Sequence, residues 1–312
     1  MIFKGLFGPM AALIGLGFSF PAVAEAGGPV RLYVRTVPIT IFGKTGEVIA
    51  IEQENGAMGL QVKESDGFNV EVVNQLKEPT SIHWHGLILP ALMDGVPFVS
   101  QDPIPPGETY HYQFPLKQSG TYWLHSHYGL QEQLLAAAPL ILESEAQHAK
   151  ADEQYTVLLS DYSFTSSAKI LERLKGGMRD MGGMSMGQTP ATQKLYGQKW
   201  DGTGFVRTVI EGGFPDTDVK YDALIANRRT VDDPDVFRVN PGHTVLLRII
   251  AGSAATNFFV NTGALTSQLT AVDGKDIEPV SGNYFQLGIA QRIDLLMKIP
   301  DKGDAFPILA QG

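Results

Sequence analysis

Short runs along this chain put apolar side chains at every second position. Thr109 to Phe114 is the clearest, with Tyr110, Tyr112 and Phe114 set against His111 and Gln113. A period of two places alternate side chains on opposite faces of an extended strand, one buried and one wet. Similar runs, rich in β-branched and aromatic residues, are Val30–Val37, Gly46–Gln53, Phe68–Val73, Ser81–Leu89, Thr121–His127 and Pro139–Glu143. Between them stand turn signals: Asp66-Gly67, Asp94-Gly95, Pro105-Pro106-Gly107 and Ser119-Gly120. Strands this short at this spacing predict an all-β sandwich or barrel.

Residues 144–154 are polar and read as a connector. Beyond it the rhythm resumes at Tyr155–Leu159, Val206–Ile210, Asp222–Ile225, Thr244–Ile250, Phe258–Val260, Gln268–Val272, Phe285–Leu287, Arg292–Ile299 and Phe306–Ala310. A second β-domain of the same kind accounts for this. The expected organisation is a leader at 1–26, one domain at 27–146 and a second at 147–312. An insert at about 164–204 interrupts the second. Within it Ala168–Leu174 suits one or two helical turns, and Gly176–Gly187 is rich in Gly and Met. The final run, Phe306–Ala310, has no evident strand mate, so the second domain is expected to be truncated at Gly312.

Composition narrows the function classes. Hydrophobic residues are 44% and charged residues 18%, with 34 Gly and 19 Pro, a balance that suits turn-rich β structure. The formal net charge is -9 and no basic run occurs, which argues against nucleic acid and against an anionic membrane surface. The chain contains no cysteine, so disulfides, thiolate catalysis and sulfur-anion metal sites are excluded. At the amino terminus, Lys4 precedes an apolar stretch, Leu6–Phe20, and Ala24-Glu25-Ala26 ahead of Gly27. The stretch is shorter than the roughly 20 residues a spanning helix needs, so it predicts a cleaved secretory signal and a periplasmic or secreted product.

The candidate chemistry lies in His83-Trp84-His85 and His125-Ser126-His127. On a strand, residues two apart share a face, so each pair presents two imidazoles side by side. Random placement of the histidines would give about 0.2 such pairs. Imidazole is a ligand for copper, zinc, iron and nickel. The plainer alternative is four histidines hydrogen-bonded within the sheet. A third is a jelly-roll site holding one zinc or iron, which would need a further carboxylate such as Asp94.

Two stretches carry a family resemblance. Ser81-Ile82-His83-Trp84-His85-Gly86-Leu87 and Gly120-Thr121-Tyr122-Trp123-Leu124-His125-Ser126-His127-Tyr128-Gly129-Leu130-Gln131-Glu132-Gln133 resemble the first two histidine motifs of the multicopper oxidases. Met93-Asp94-Gly95-Val96-Pro97 and Ile104-Pro105-Pro106-Gly107-Glu108 are similar to the bacterial copper-resistance branch, and Val272–Val280 fits the family's second domain. The resemblance implies Greek-key cupredoxin-like domains, oxidation of Cu(I) or phenols, and reduction of dioxygen to water. Carried over by motif, it implies His83 as a ligand of a type 2 copper and His85, His125 and His127 as ligands of a type 3 pair. Asp94 falls where some members place a carboxylate that relays protons; its plainer reading is a turn residue before Gly95. Trp84 and Trp123 read as packing.

The departures are as informative. The family's cluster takes eight imidazoles, four from a last domain, and its electron-entry copper is bound by a thiolate. Without cysteine or a third His-x-His, these residues supply half a cluster, with a missing carboxy-terminal cupredoxin domain expected to complete it. A non-catalytic periplasmic copper-sequestering protein is the alternative. Met178, Met181, Met184 and Met186 are soft thioethers that suit Cu(I), or else simply occupy a polar insert. His111, His148 and His243 read as non-ligands. Ser160-Asp161-Tyr162 lacks the histidine a hydrolase would need.

Overall fold

The computed structural model describes residues 2–5, 28–144, 151–176, 196–200, 205–209, 219–303 and 305–312. Apart from residues 2–5, the expected leader at 1–26 lies outside them, as do all four methionines of the insert. No helix among the described residues is long and apolar enough to cross a membrane.

The amino-terminal half is a sandwich of two four-stranded sheets. In one, Val30–Ile41 pairs with Lys44–Glu52 and, in parallel, with Phe68–Asn74, which pairs with Thr109–Phe114. In the other, Gly120–Ser126 lies between Ile82–His85 and Ala137–Glu143, and Leu60–Lys63 adds in parallel to the latter. Phe68–Asn74 is buried at every second position, as its alternating sequence requires. Its inward residues Phe68, Val70 and Val72 pack with Tyr112 against Ile82, Trp84, Leu124 and Leu140 of the facing sheet. Phe68 and Trp84 meet edge to face at 4.7 Å.

Gly120–Ser126 and Ala137–Glu143 are buried at every position. A strand covered on both faces loses its alternation. Here the second cover comes from the carboxy-terminal half. That half has a six-stranded sheet in the order Ala223–Ala226, Glu153–Tyr162, Thr244–Ala251, Arg292–Lys298, Ser267–Val272 and Lys275–Gly282. A three-stranded sheet, Tyr284–Leu287, Phe258–Asn261 and Leu309–Gln311, supplies facing residues to a core containing Val157, Leu247, Phe258, Leu287 and Leu295. Ile2–Gly5 forms a strand parallel to Val236–Val239 and antiparallel to Ala305–Pro307.

Both halves form one compact unit, residues 1–164 with 221–312; a smaller unit spans 165–220. The smaller unit contains a helix, Ser167–Gly176, and a hairpin, Tyr196–Trp200 with Phe205–Val209.

Five strands have no counterpart in the sequence reading: Ile2–Gly5, Leu60–Lys63, Tyr196–Trp200, Val236–Val239 and Lys275–Gly282. The last is exposed along nearly its whole length, so no buried face imposes a pattern on it. The expected strand Ser81–Leu89 is only Ile82–His85, because Gly86 turns the chain with φ at +86°. The run Phe306–Ala310 breaks at Ile308 into two strands, and it does have a mate: Leu309–Gln311 pairs antiparallel with Phe258–Asn261.

Candidate metal centre

Strand register brings the two histidine pairs together. Ile82 faces Ser126, His83 faces His125, Trp84 faces Leu124 and His85 faces Trp123. Side-chain alternation then sorts the sheet cleanly. Ile82, Trp84 and Leu124 enter the sandwich core, while His83, His85, Trp123 and His125 share the opposite face. His127 follows one step beyond the paired strand.

The rings form one cluster. Centroid distances are 5.7 Å for His83 to His85, 5.5 Å for His83 to His125, 5.0 Å for His83 to His127, 5.5 Å for His85 to His125 and 5.0 Å for His125 to His127. One ring nitrogen from each of His83, His85 and His125 lies within 4.8 Å of the other two, and His127 is not part of this set. Among the described residues no other trio of His, Asp or Glu meets that criterion.

The outer nitrogens say which way the rings point. His83 Nδ1 donates to the Asp94 carbonyl at 2.8 Å, with the Asp94 carboxylate 3.2 Å away. A carbonyl only accepts, so Nδ1 carries the hydrogen and Nε2 keeps its lone pair. His125 Nδ1 lies 3.3 Å from the Ser126 carbonyl and 3.5 Å from Glu132 Oε1. Its Nε2 faces His85 Nδ1 at 3.3 Å. One of the two carries its ring proton and donates it to the lone pair of the other, a hydrogen bond between two imidazoles. A metal ion that replaces this proton meets lone pairs already aimed at it.

Burial disfavours the charged form of His85, His125 and His127. Desolvation, with Arg292 adding to it, lowers the His85 pKa to about 4. Desolvation and the three neighbouring rings lower that of His125 to about 3. His127 is shifted downward too, chiefly by burial. Neutral imidazole is the form that binds metal.

Local features fix the frame. A Cβ on Gly95 would lie 1.7 Å from the Ile82 carbonyl oxygen, so only glycine lets the Asp94 turn approach the His83 strand so closely. Gln131 staples the two histidine segments. Its Oε1 accepts from Thr80 and Ser126 Oγ at 2.7 and 2.8 Å, and its Nε2 donates to Glu78 and Pro79 at 2.8 and 2.9 Å. Every hydrogen-bonding position of this buried amide is thus used.

Glu132 and Trp123 are the contributors that sequence reasoning left without a role at the site. Glu132 reaches His125 because the loop after His127 folds back, which no periodicity signals. Trp123 stacks on His125 at 4.2 Å and on His85 at 4.9 Å. Three other residues stand elsewhere. His111 bonds Asn69 on an exposed face at 2.6 Å, and His243 bonds Glu153 at 2.9 Å. Asp161 is a buried clamp that accepts from the backbone of Ala254, Ala255 and Thr256 and from the Thr256 hydroxyl. His148 lies outside the described residues.

Two packed β-sandwiches with a cluster of imidazoles where they meet define a cupredoxin-type protein. Comparison with known proteins gives the family. Residues 33–147 match one family model described as multicopper oxidase, and residues 153–312 match a second so described. The chain belongs to the multicopper oxidase family. It is 33% identical to copper resistance protein A of Escherichia coli over 94% of this chain and 49% of that protein. It is 30% identical to copper resistance protein A of Pseudomonas syringae pv. tomato, over 99% of this chain and 53% of that protein. It thus spans about half the length of these curated relatives. Its fold matches the multi-copper oxidase from Pseudomonas parafulva with a TM-score of 0.67 at 22% identity, over 91% of this chain and 61% of that structure.

Proposed function

We propose that these residues bind copper and form half of the trinuclear cluster of a periplasmic multicopper oxidase of the copper-resistance type. His83 serves as the type 2 ligand and His85, His125 and His127 serve the type 3 pair. The observation that carries this reading is the set of inward ring nitrogens within 4.8 Å on two paired strands. The donor set fits copper, since neutral imidazole is among its preferred ligands. Bound copper would supply electron transfer to dioxygen, which is reduced to water, with Cu(I) or a phenol as the electron donor.

The chain's own residues do the positioning. The Asp94 carbonyl holds His83 Nδ1, Gln131 keeps the two strands in register, and burial leaves the rings free of competing protons. We assign proton delivery to the Asp94 carboxylate, which is partly exposed and lies 3.2 Å from His83 Nδ1. The remaining imidazoles and the thiolate have to come from outside these 312 residues, which contain no cysteine. A further cupredoxin domain is the proposed source. Met178, Met181, Met184 and Met186 are assigned to transient Cu(I) capture.

The absence of cysteine favours a second reading, a copper-sequestering protein without turnover. Copper titration of the secreted chain, with an oxygen electrode alongside, decides. Tight copper binding that falls about 100-fold or more in His83→Ala/His125→Ala is expected, a change on the scale seen when metal sites lose supporting groups. Preference for zinc or iron over copper would overturn both readings. Oxygen uptake on mixing with a separately made carboxy-terminal domain separates the oxidase from the sequestering protein.

A further inference from the structure

We infer that Trp123 is a positioning residue for the metal site, a flat support that the carboxy-terminal half presses against the backs of two imidazoles. The inference rests on the copper reading for its consequence, though not for its geometry.

The two tryptophans of the histidine motifs, Trp84 and Trp123, are alike in burial and unlike in surroundings. Both are essentially inaccessible, and neither indole Nε1 has a hydrogen-bond acceptor among the described residues. Trp84 points into the sandwich core, where it meets Phe68 and Tyr112 edge to face at 4.7 and 4.9 Å. Trp123 points the other way. Its ring lies nearly parallel to His125, at 14°, and 30° from His85. Two candidate ligands from two different strands therefore rest on one indole.

Behind that indole stands the other sandwich. Trp123 clusters with Ala137, Leu158 and Ile250, with Met58 and Ala290 at the margin. Leu158, Ile250 and Ala290 all belong to the carboxy-terminal half. Gly252 completes the seat, since a Cβ there would lie 2.6 Å from Leu158 Cδ1 and 3.6 Å from Trp123 Cε3. An orphaned N–H in such a place costs stability, so hydrogen bonding does not explain an indole here. What the indole supplies is a rigid plane, broad enough to stack on two rings. A metal site needs its ligands held to within a fraction of an ångström by packed neighbours. Trp123 makes the packing of one sandwich part of the metal geometry of the other.

The test compares Trp123→Leu, Trp123→Phe and Trp84→Phe in the intact chain. The readouts are Cu(II) affinity by competition, the copper EPR spectrum, and imidazole nitrogen shifts of the metal-free protein by NMR. Trp123→Leu should weaken copper about tenfold, within the range for residues that orient ligands. It should also change the EPR hyperfine pattern and mix the His125 tautomers. Trp123→Phe keeps an aromatic plane and should recover most of the affinity. Trp84→Phe, at similar cost in melting temperature, should leave affinity and EPR at wild-type values. If Trp123→Leu does not fold, Trp123→Met replaces it, being apolar, adaptable and ringless. Wild-type affinity, EPR and tautomer in the ringless variant would overturn the inference. Failure of the wild-type chain to bind copper would instead count against the copper reading, and the NMR tautomers of the metal-free proteins would still decide the role of Trp123.

Discussion

Along one face of the strand Gly120–Ser126 two polar clusters sit a few residues apart and behave in opposite ways. Thr121, Trp123 and His125 share that face by alternation, each about 6.8 Å from the next. At Thr121 the cluster is closed. Arg248 donates to Asp294 at 2.9 Å, to Thr121 at 2.8 Å and to Gln154 at 2.9 Å, and Thr121 donates to Asp294 at 2.6 Å. Arg248 is 1% exposed and Asp294 4%, so opposite charges satisfy each other in a dry place. At His125 the cluster is open. Its members are alike, all bases, with His125 Nε2 facing His85 Nδ1 at 3.3 Å. A polar cluster that closes on itself holds the fold together, whereas one made of bases alone suits the cation proposed for it. The same strand thus contributes both to the joint between the sandwiches and to the site.

The largest effect expected from this contrast is on stability at the closed cluster. Removing the guanidinium in Arg248→Met strands a buried carboxylate, which costs about 3–5 kcal/mol when the partner charge is lost. Urea unfolding should show a loss of that size. The double variant Arg248→Met/Asp294→Leu should regain most of it, because replacing both charges by apolar groups is often close to neutral. A single variant as stable as the wild type would break the comparison. His125→Ala, by contrast, should leave the midpoint close to its original value while abolishing the copper binding proposed for this cluster.

The next effect is on pH dependence, and its sign follows from the direction of the shifts. Unfolded imidazoles titrate near 6.5, whereas His85 and His125 in the fold titrate at about 4 and about 3. Between these values the unfolded chain binds more protons than the folded one. Stability contributed by the neutral rings is therefore complete above pH 6.5 and is lost as the pH falls toward 4 and then 3. The slope is up to about 1.4 kcal/mol per pH unit for each proton of difference. Denaturant titrations of the metal-free chain between pH 7 and 4 should show the decline, and His85→Asn/His125→Asn should flatten it. An unchanged slope in the double variant would mean that the rings are not held neutral.

What could be read without coordinates follows from distance along the chain. The pairing of His83 with His125 was legible because a period of two sets a shared face, and two such motifs on neighbouring strands can only converge or diverge. The role of Trp123 was not. Trp84 and Trp123 look equivalent in sequence, and which one faces the core depends on which side of the sheet the second sandwich covers. Arg248 was invisible for a similar reason: its partners stand 46, 94 and 127 residues away. Glu132 belongs to a loop whose return is set by Gln131 and by Leu135 at a φ of 63°, not by any alternating pattern. Lys275–Gly282 escaped because an edge strand with no buried face has no reason to alternate.

The smallest effect expected is at Asp94, and its size separates two roles that the sequence could not. Two acceptors of that residue lie near His83 Nδ1, the main-chain carbonyl at 2.8 Å and the carboxylate at 3.2 Å. The shorter contact survives any side-chain replacement. If orienting His83 were the carboxylate's purpose, Asp94→Ala would weaken copper by the 10- to 100-fold typical of lost supporting groups. Because the carbonyl already holds the ring, the expected loss is smaller, about threefold, with the EPR spectrum nearly unchanged. If the proposed proton-relay role of the carboxylate is right, Asp94→Asn should slow turnover of the completed oxidase while its copper content stays full. Should Asp94→Ala instead lose copper about 100-fold, the carboxylate is a support after all. Asp94 would then join Gln131 and the Asp94 carbonyl among the groups that make the open cluster rigid.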